Sequence, residues 1–377
     1  MVLADLGAQV IKVEPPEGDA TRGYGPPWIG PAEPGGERVA AYFLSVNRNK
    51  RSLRLDMRRE EGREVVRRLI GRSDVLIENF RPGGLDRLGF TQAELTALNP
   101  NLVQLSITGY GADGPDATKP GYDFVAQAVG GLMSVTGFPD GEGGQPTKLG
   151  VAITDIVTGL LGAVGVLAAL RAGVGQRIDV SLLEATLAML INQAHNAFAS
   201  GEQPQRMGNA HPNIVPYETF ATANGQIAVA VGSERQWPRL CATLGLEELA
   251  TDPRFADNGA RVRHRDQLRP ILAEAFAEAD TAHWQFFLDE AGVPCGPVND
   301  VLAAFEQPQA VARQMRATVD HPVLGPMPQV GLPYKLSATP ASIRTAPPLL
   351  GEHSAQILAE LGYSSTQIAT LRTEGVI

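Results

Sequence analysis

Cysteine is scarce in this sequence: 377 residues carry two, Cys241 and Cys295, and neither belongs to a CxxC pair. A disulfide framework, a zinc ribbon and an iron–sulfur cluster are therefore disfavoured, and a reducing, cytoplasmic setting is expected. The six histidines (195, 211, 264, 283, 321 and 353) have no metal-ligand spacing, and neither a G-x-S-x-G elbow nor a Walker pattern occurs. Metal-hydrolase and serine-hydrolase chemistry are disfavoured, and no metal is expected. Charge is modest at 19% of residues, and the net value of -9 argues against a nucleic-acid partner. The opening VLADLGAQVIKVE lacks a charged leader region and a small-residue cleavage site, so no secretory signal is expected.

What is there is an ordinary globular composition with 44% hydrophobic residues. At roughly 150 residues per domain the length suggests two domains, able to bury about three quarters of the unfolded surface without staples. The most apolar run, residues 151–170, carries Asp155 and glycines at 159, 162 and 165. Three-residue glycine steps suit a helix pressed against a neighbour in a soluble core, so no membrane association is expected.

The first hundred residues alternate strand-like runs at 9–13, 52–55, 74–77 and 102–107 with helical spacing over 60–72 and 91–98. That alternation implies an α/β fold on a parallel sheet. Residues 2–7 read as the end of a helix feeding a strand, which suggests that an earlier strand is missing. Residues 15–36 and 137–150 are rich in Pro and Gly and are expected to form irregular loops. A strand at 176–180 and one helix over 181–197 follow. After Gly201, β-rich runs at 217–221 and 226–231 flank Asn224-Gly225, a two-residue hairpin signal. Helices over 234–244, 261–278 and 281–291 complete a smaller α+β unit, and two amphipathic helices end the chain.

Residues 45–90 hold twelve basic against seven acidic side chains, a net +5 in a chain of -9. Converging guanidinium groups can bind a multiply charged anion. Residues 58–72 fit equally well as a solvated helix face with internal ion pairs. Arg81 and Arg87 differ, because they follow the carboxyl end of a strand, where open α/β sheets place ligands. Asp155 is the one ionised group at the mouth of the long apolar helix. Its spacing alone favours a helix N-cap bonding the N–H of Val157 or Thr158 over a catalytic role. Asp123 is similarly ambiguous at the head of the run 124–129. His211, in GNAHPN, reads as a loop histidine able to line a pocket, and Cys295 as buried and inert.

Taken in order, LADLGAQVIKVEPPEGDATR, AAYFLSVNRNKRSLRLD, DVLIENFRPGGLDRLGF, LVQLSITGYG, PGYDFVAQAVGGLMSVTG, AITDIVTGLLGAVGVLAAL and GVPCGPVNDV resemble the family III CoA-transferases, which include the α-methylacyl-CoA racemases. The segment GNAHPNIVPYETFATANGQIAVAVG looks most like the transferases that move CoA between dicarboxylic acids, of the succinyl-CoA:glutarate kind.

The resemblance implies a large Rossmann-like domain over residues 1–200, a small α+β domain over 201–320 and a segment 321–377 returning to the large domain. It also implies an interlocked homodimer. Asp155 becomes the expected nucleophile, passing through an aspartyl anhydride and an aspartyl-CoA thioester. Coenzyme A contacts are expected at Asn79, Phe80, Arg87 and Leu88, with Tyr122 near the thioester and Arg22 and Lys119 as further cations. The Gly-rich stretches 137–144 and 208–209 are expected to supply oxyanion donors. Two departures stand out: nothing in the chain corresponds to the family's first strand, and Pro15 occupies a position that is basic in some transferases. A racemase acting on a 2-methylacyl-CoA is the competing enzyme, disfavoured by a tyrosine at 122 where racemases carry histidine. A CoA-binding protein without catalysis is the competing module.

Overall fold

Strands form where the β-rich runs alternate with amphipathic segments, and they pair in parallel. Val10–Glu14 pairs with Lys50–Arg54, and Val75–Glu78, Val103–Thr108 and Gln176–Ser181 make a three-stranded parallel sheet in that order. The computed structural model describes residues 1–30 and 38–377, so the end of the expected 15–36 loop lies outside the described residues. The chain divides into two units, one made of Met1–Ala126, Ile153–Ala185 and Phe305–Ile377, the other of Gln127–Ala152 and Thr186–Ala304.

In the first unit the central strand Val103–Thr108 is buried along most of its length, as a strand covered on both faces should be. The helix Ile153–Ala172 lies on this sheet, and two of its glycines set the distance. A Cβ at Gly162 would stand 2.8 Å from Leu105 Cδ2, and one at Gly165 would stand 3.2 Å from Ile178 Cγ2. Gly159 has no atom within 4 Å of such a Cβ, so two of the three glycines explain the packing. The chain end returns as helices Ser354–Glu360 and Ser365–Thr373, burying Ile357, Leu358 and Leu371 in a core shared with Leu53 and Val65. The last helix starts on a reciprocal Ser364/Gln367 capping box.

Asn47, Arg48 and Asn49, near the start of the basic segment, are interior scaffolding. Arg48 pairs with Asp5 at 2.7 Å with both side chains buried, and Asn49 donates to the same carboxylate at 2.8 Å. Breaking such a pair from one side costs about 3–5 kcal/mol, because the surviving charge stays buried.

The second unit carries an antiparallel sheet ordered Cys295–Pro297, Gly225–Ala230, Tyr217–Thr222. Its core gathers Ile227, Trp237, Leu240, Phe276 and Leu288, with Phe220 and Phe276 stacked at 4.8 Å. The hairpin forms one residue away from the expected place. Thr222 pairs with Gly225, so the two-residue loop is Ala223-Asn224. Asn224 is drawn there by tertiary bonding, its Oδ1 accepting the Thr281 N–H at 2.9 Å at the start of the helix Thr281–Ala291. The expected helix over 181–197 is two, Leu182–Met189 and Ile191–Ser200, broken where Ile191 takes φ 35°. A β-branched residue in that region is costly, and nothing in the local sequence announces it.

Candidate active site

Two carboxyl ends of neighbouring parallel strands carry the residues of interest. Val75–Glu78 runs into Asn79-Phe80, where Glu78 Oε2 accepts the Phe80 N–H at 2.8 Å. The following turn needs glycine twice. Gly83 has φ 73°, and a Cβ on Gly84 would meet Phe80 Cβ at 2.8 Å. The same turn carries the short helix Gly84–Arg87 and brings the Arg87 guanidinium over the two glycines. Phe80 and Arg87 are thus held on one turn with Asn79 beside them, and all three are exposed. Leu88 is half-buried and packs on the core behind the turn.

The arginines sort by partner. Arg58 pairs with Asp56, Arg63 and Arg67 with Glu60, and Arg68 with Glu64, so the 58–72 stretch is an ion-paired solvent face. Arg81 and Arg87 have no carboxylate partner among the described residues. The two further cations are otherwise engaged. Arg22 holds Glu14 at 2.8 Å, donates to the Pro348 carbonyl and lies 3.8 Å over the Phe43 ring, which makes it a structural clamp here. Burial pushes the Glu14 carboxyl up, and the hydrogen bonds from Arg22 and Ser52 outweigh this and hold it below its usual range. Lys119 is paired with Asp116 at 2.7 Å.

The next strand, Val103–Thr108, ends at Gly109, and here backbone crosses backbone. A Cβ on Gly121 would stand 2.3 Å from Gly109 Cα, and one on Gly109 would stand 2.6 Å from Gly121 Cα. Only glycine at both positions lets the returning chain set Tyr122 and Asp123 beside the strand end. Tyr122 projects outward at 67% exposure. Asp123 opens the helix Asp123–Val129, and its Oδ1 accepts the Thr154 N–H at 2.8 Å.

Asp155 is the third residue of the helix Ile153–Ala172, so it is inside the first turn and is not its N-cap. The capping expected of Asp155 is done by Asp123, a correction that frees the Asp155 carboxylate for another role. Asp155 is exposed at its edge and forms no ion pair among the described residues. Surrounding protein removes enough water, and the Asp123 charge adds enough repulsion, to raise its pKa above the ordinary aspartate value. Tyr42, from the helix Ala41–Val46, faces the same space: burial pushes its phenol up, and the Asp155 and Asp123 charges push it further. Tyr24 stands edge-on to Tyr42 at 5.5 Å between ring centres. Sequence reasoning missed both tyrosines, because no spacing links them to Asp155.

In the second unit the Gly-rich stretches are knitted together by their own backbone. The Gly143 and Gly144 N–H groups donate to the Asp140 and Pro139 carbonyls at 3.1 Å, and that of Gly208 donates to Gly137 at 2.9 Å. These three amides are spent, which corrects the expectation that they supply oxyanion donors. His211 is half-buried there; burial and the nearby Arg265 lower its pKa, and Nδ1 accepts the Asn213 N–H at 3.0 Å. Cys295 is partly buried with its thiol pushed up to about 11 by burial and Asp289, consistent with an inert sulfur. Among the described residues no cluster of three or more His, Cys, Asp or Glu side chains is arranged to hold a metal.

An exposed aromatic and guanidinium thus follow one strand end, and at the next an exposed tyrosine stands with Asp123, whose carboxylate reaches the helix turn that carries the exposed Asp155. Residues 1–354 match the family described as CoA-transferase family III. The chain belongs to that family. It is 44% identical over 366 residues to the succinate–glutarate CoA-transferase of Agrobacterium fabrum, covering 96% of this chain and 90% of that protein. It is 38% identical over 383 residues to the human succinyl-CoA:glutarate CoA-transferase, covering 100% of this chain and 85% of that protein. The crystal structure of a CaiB/BaiF family protein from Brucella suis superposes with TM-score 0.82 at 46% identity, covering 95% of this chain and 93% of that one. The mixed α/β fold with parallel strands is therefore that of solved CaiB/BaiF proteins, and this family III CoA-transferase is an enzyme whose substrates include an acyl-CoA.

Proposed function

We propose that this CoA-transferase moves CoA from an acyl-CoA to a dicarboxylic acid, with Asp155 as the covalent carrier. The observation that carries the reading is the Asp155 carboxylate itself: solvent-open on one side, without a cationic partner among the described residues, and raised in pKa. A more basic carboxylate is a better nucleophile. An Asp155 oxygen attacks the acyl carbonyl and the CoA thiolate leaves, giving an aspartyl mixed anhydride. The thiolate then attacks the aspartyl carbonyl, releasing the donor carboxylate and leaving an aspartyl-CoA thioester. The acceptor carboxylate attacks that thioester, and the expelled thiolate takes the acceptor acyl group from the second anhydride. No proton is gained or lost, and the thioester's energy stays in a covalent bond throughout. Water must be kept from both anhydrides.

Asn79, Phe80, Arg87 and Leu88 are assigned to CoA in this reading, with Tyr122 near the thioester. Arg87→Ala is expected to raise KM for succinyl-CoA roughly tenfold and leave kcat within about twofold, as loss of a phosphate contact made equally in ground and transition states should. Steady-state kinetics with succinyl-CoA and glutarate check this; an unchanged KM contradicts the assignment. Dicarboxylate acceptors are proposed because the two CoA-transferases compared above are named for succinate and glutarate.

The reading extends to an interlocked homodimer. The helix Ile153–Ala172 is long and apolar enough to cross a bilayer, and away from the sheet it leaves Ile156, Leu160, Val164 and Leu167 open to solvent, Val164 at 65% exposure. An apolar stripe of that kind on an enzyme calls for a covering surface, and a second copy is the occupant proposed. Val164→Asp is expected to abolish the dimer, read as a halved mass in light scattering or as insoluble protein. An unchanged dimer would exclude this face from the interface.

A further inference from the structure

We propose that Asp123 is a positioning residue for Asp155, fixing the first turn of the Ile153–Ala172 helix through the Thr154 N–H while directing a negative charge at the nucleophile. The inference rests on Asp155 being the carrier. Three observations on different elements meet here. Gly109 and Gly121 cross so closely that a Cβ on either would overlap the other's backbone, and Asp123 lies two residues beyond this crossing. From there Asp123 Oδ1 reaches across to the N–H of Thr154, the residue immediately before Asp155 in the chain, at 2.8 Å. Asp155 in turn lies in the first turn, where roughly half a positive elementary charge from the helix end would ordinarily make a carboxylate less basic.

Capping alone does not require a carboxylate, since asparagine, serine or threonine accept the same N–H about as well. What aspartate adds is charge. The capping carboxylate offsets the positive helix end and repels the Asp155 carboxylate, so the nucleophile keeps its basicity at a place in the fold that would otherwise weaken it. The titratable groups facing Asp155 from the surrounding elements of this unit are Asp123 and, from the Ala41–Val46 helix, Tyr42 with Tyr24 behind it. Burial and the two carboxylates push the Tyr42 phenol up, which keeps it neutral at neutral pH, so Asp123 supplies the charge. One side chain thereby sets where the nucleophile sits and how basic it is.

Two substitutions separate these functions, assayed with succinyl-CoA and glutarate across the acid range. Asp123→Asn keeps an oxygen for the Thr154 N–H and loses the charge. Its plateau kcat is expected within about threefold of the unchanged enzyme, with the acid limb of kcat/KM displaced to lower pH. Asp123→Ala loses the acceptor as well, and kcat is expected to fall on the order of a hundredfold while KM for succinyl-CoA moves less than about threefold. Partial recovery in Asp123→Asn together with its displaced limb is a combination that a purely structural residue would not give. An acid limb in Asp123→Asn superimposable on that of the unchanged enzyme overturns the proposal, whatever Asp123→Ala does. Hydroxylamine trapping on the unchanged enzyme distinguishes the two levels. An adduct at Asp155 with no displacement of the limb removes the role of Asp123 alone, and no adduct at Asp155 during turnover removes both.

Discussion

Asp155→Ala loses CoA exchange by a factor on the order of 10⁴ or more in kcat, while its affinity for CoA stays within about threefold. The expectation follows from the site's composition. Both cysteines have thiols pushed up by burial, Cys295 to about 11 and Cys241 to about 12, so neither is a ready substitute nucleophile. The assigned CoA contacts stand on the Asn79–Leu88 turn, away from the residue removed, so binding is spared. The same position carries a second, opposite effect. The pKa of Asp155 is raised in the folded chain, so the folded state holds its proton more tightly than the unfolded state does. Ionised Asp155 therefore costs stability above that pKa, and the cost disappears as pH falls through it. Asp155→Asn is expected to melt at a higher temperature than the unchanged enzyme at neutral pH, and at about the same temperature in acid. An inactive variant that melted lower at neutral pH would contradict the electrostatic description of the site.

Gly121→Ala is expected to cost about 3 kcal/mol or more of stability, the upper end for overpacking, and to remove activity from whatever folds. The added methyl would fall 2.3 Å from Gly109 Cα and 3.0 Å from Gly109 N, and backbone atoms cannot rotate aside as a side chain can. The chain must shift at Gly121, and Tyr122 and Asp123 shift with it. Thermal unfolding followed by circular dichroism measures the loss, and exchange kinetics on the soluble fraction measure the displacement. A variant with the parent melting temperature would show that the crossing relaxes more easily than its geometry indicates.

The parallel strands were legible because their β-rich runs and helical spacings come from local periodicity, and the helix Thr281–Ala291 falls on its expected boundaries. The Leu190–Ile191 break was hidden because its cause is not local: Ile191 accepts a strained φ that its neighbours in sequence do not signal. The hairpin slipped by one residue because Asn224 is worth more to the Thr281 helix start than to the turn. At the site, spacing named Asp123 and Asp155 together but could not say which of them meets the Thr154 N–H. Spacing suggested that Asp155 capped its own helix; the fold gives the cap to Asp123, brought there by a glycine crossing. Arg22 and Lys119 were attractive as cations in the right region, and the fold commits both to nearby carboxylates. Local pattern reports which side chains a segment holds; who satisfies whom is set by contacts between distant segments.

One aspartate is expected to be acylated and thioesterified during each transfer, and the direct measurement is to catch it. The enzyme is mixed with succinyl-CoA, quenched with hydroxylamine, digested and read by tandem mass spectrometry. A hydroxamate is expected on Asp155, formed only when succinyl-CoA is present and absent from Asp155→Asn. Exchange proceeding at the full rate with Asp155 unmodified, or with the label on another residue, would contradict it.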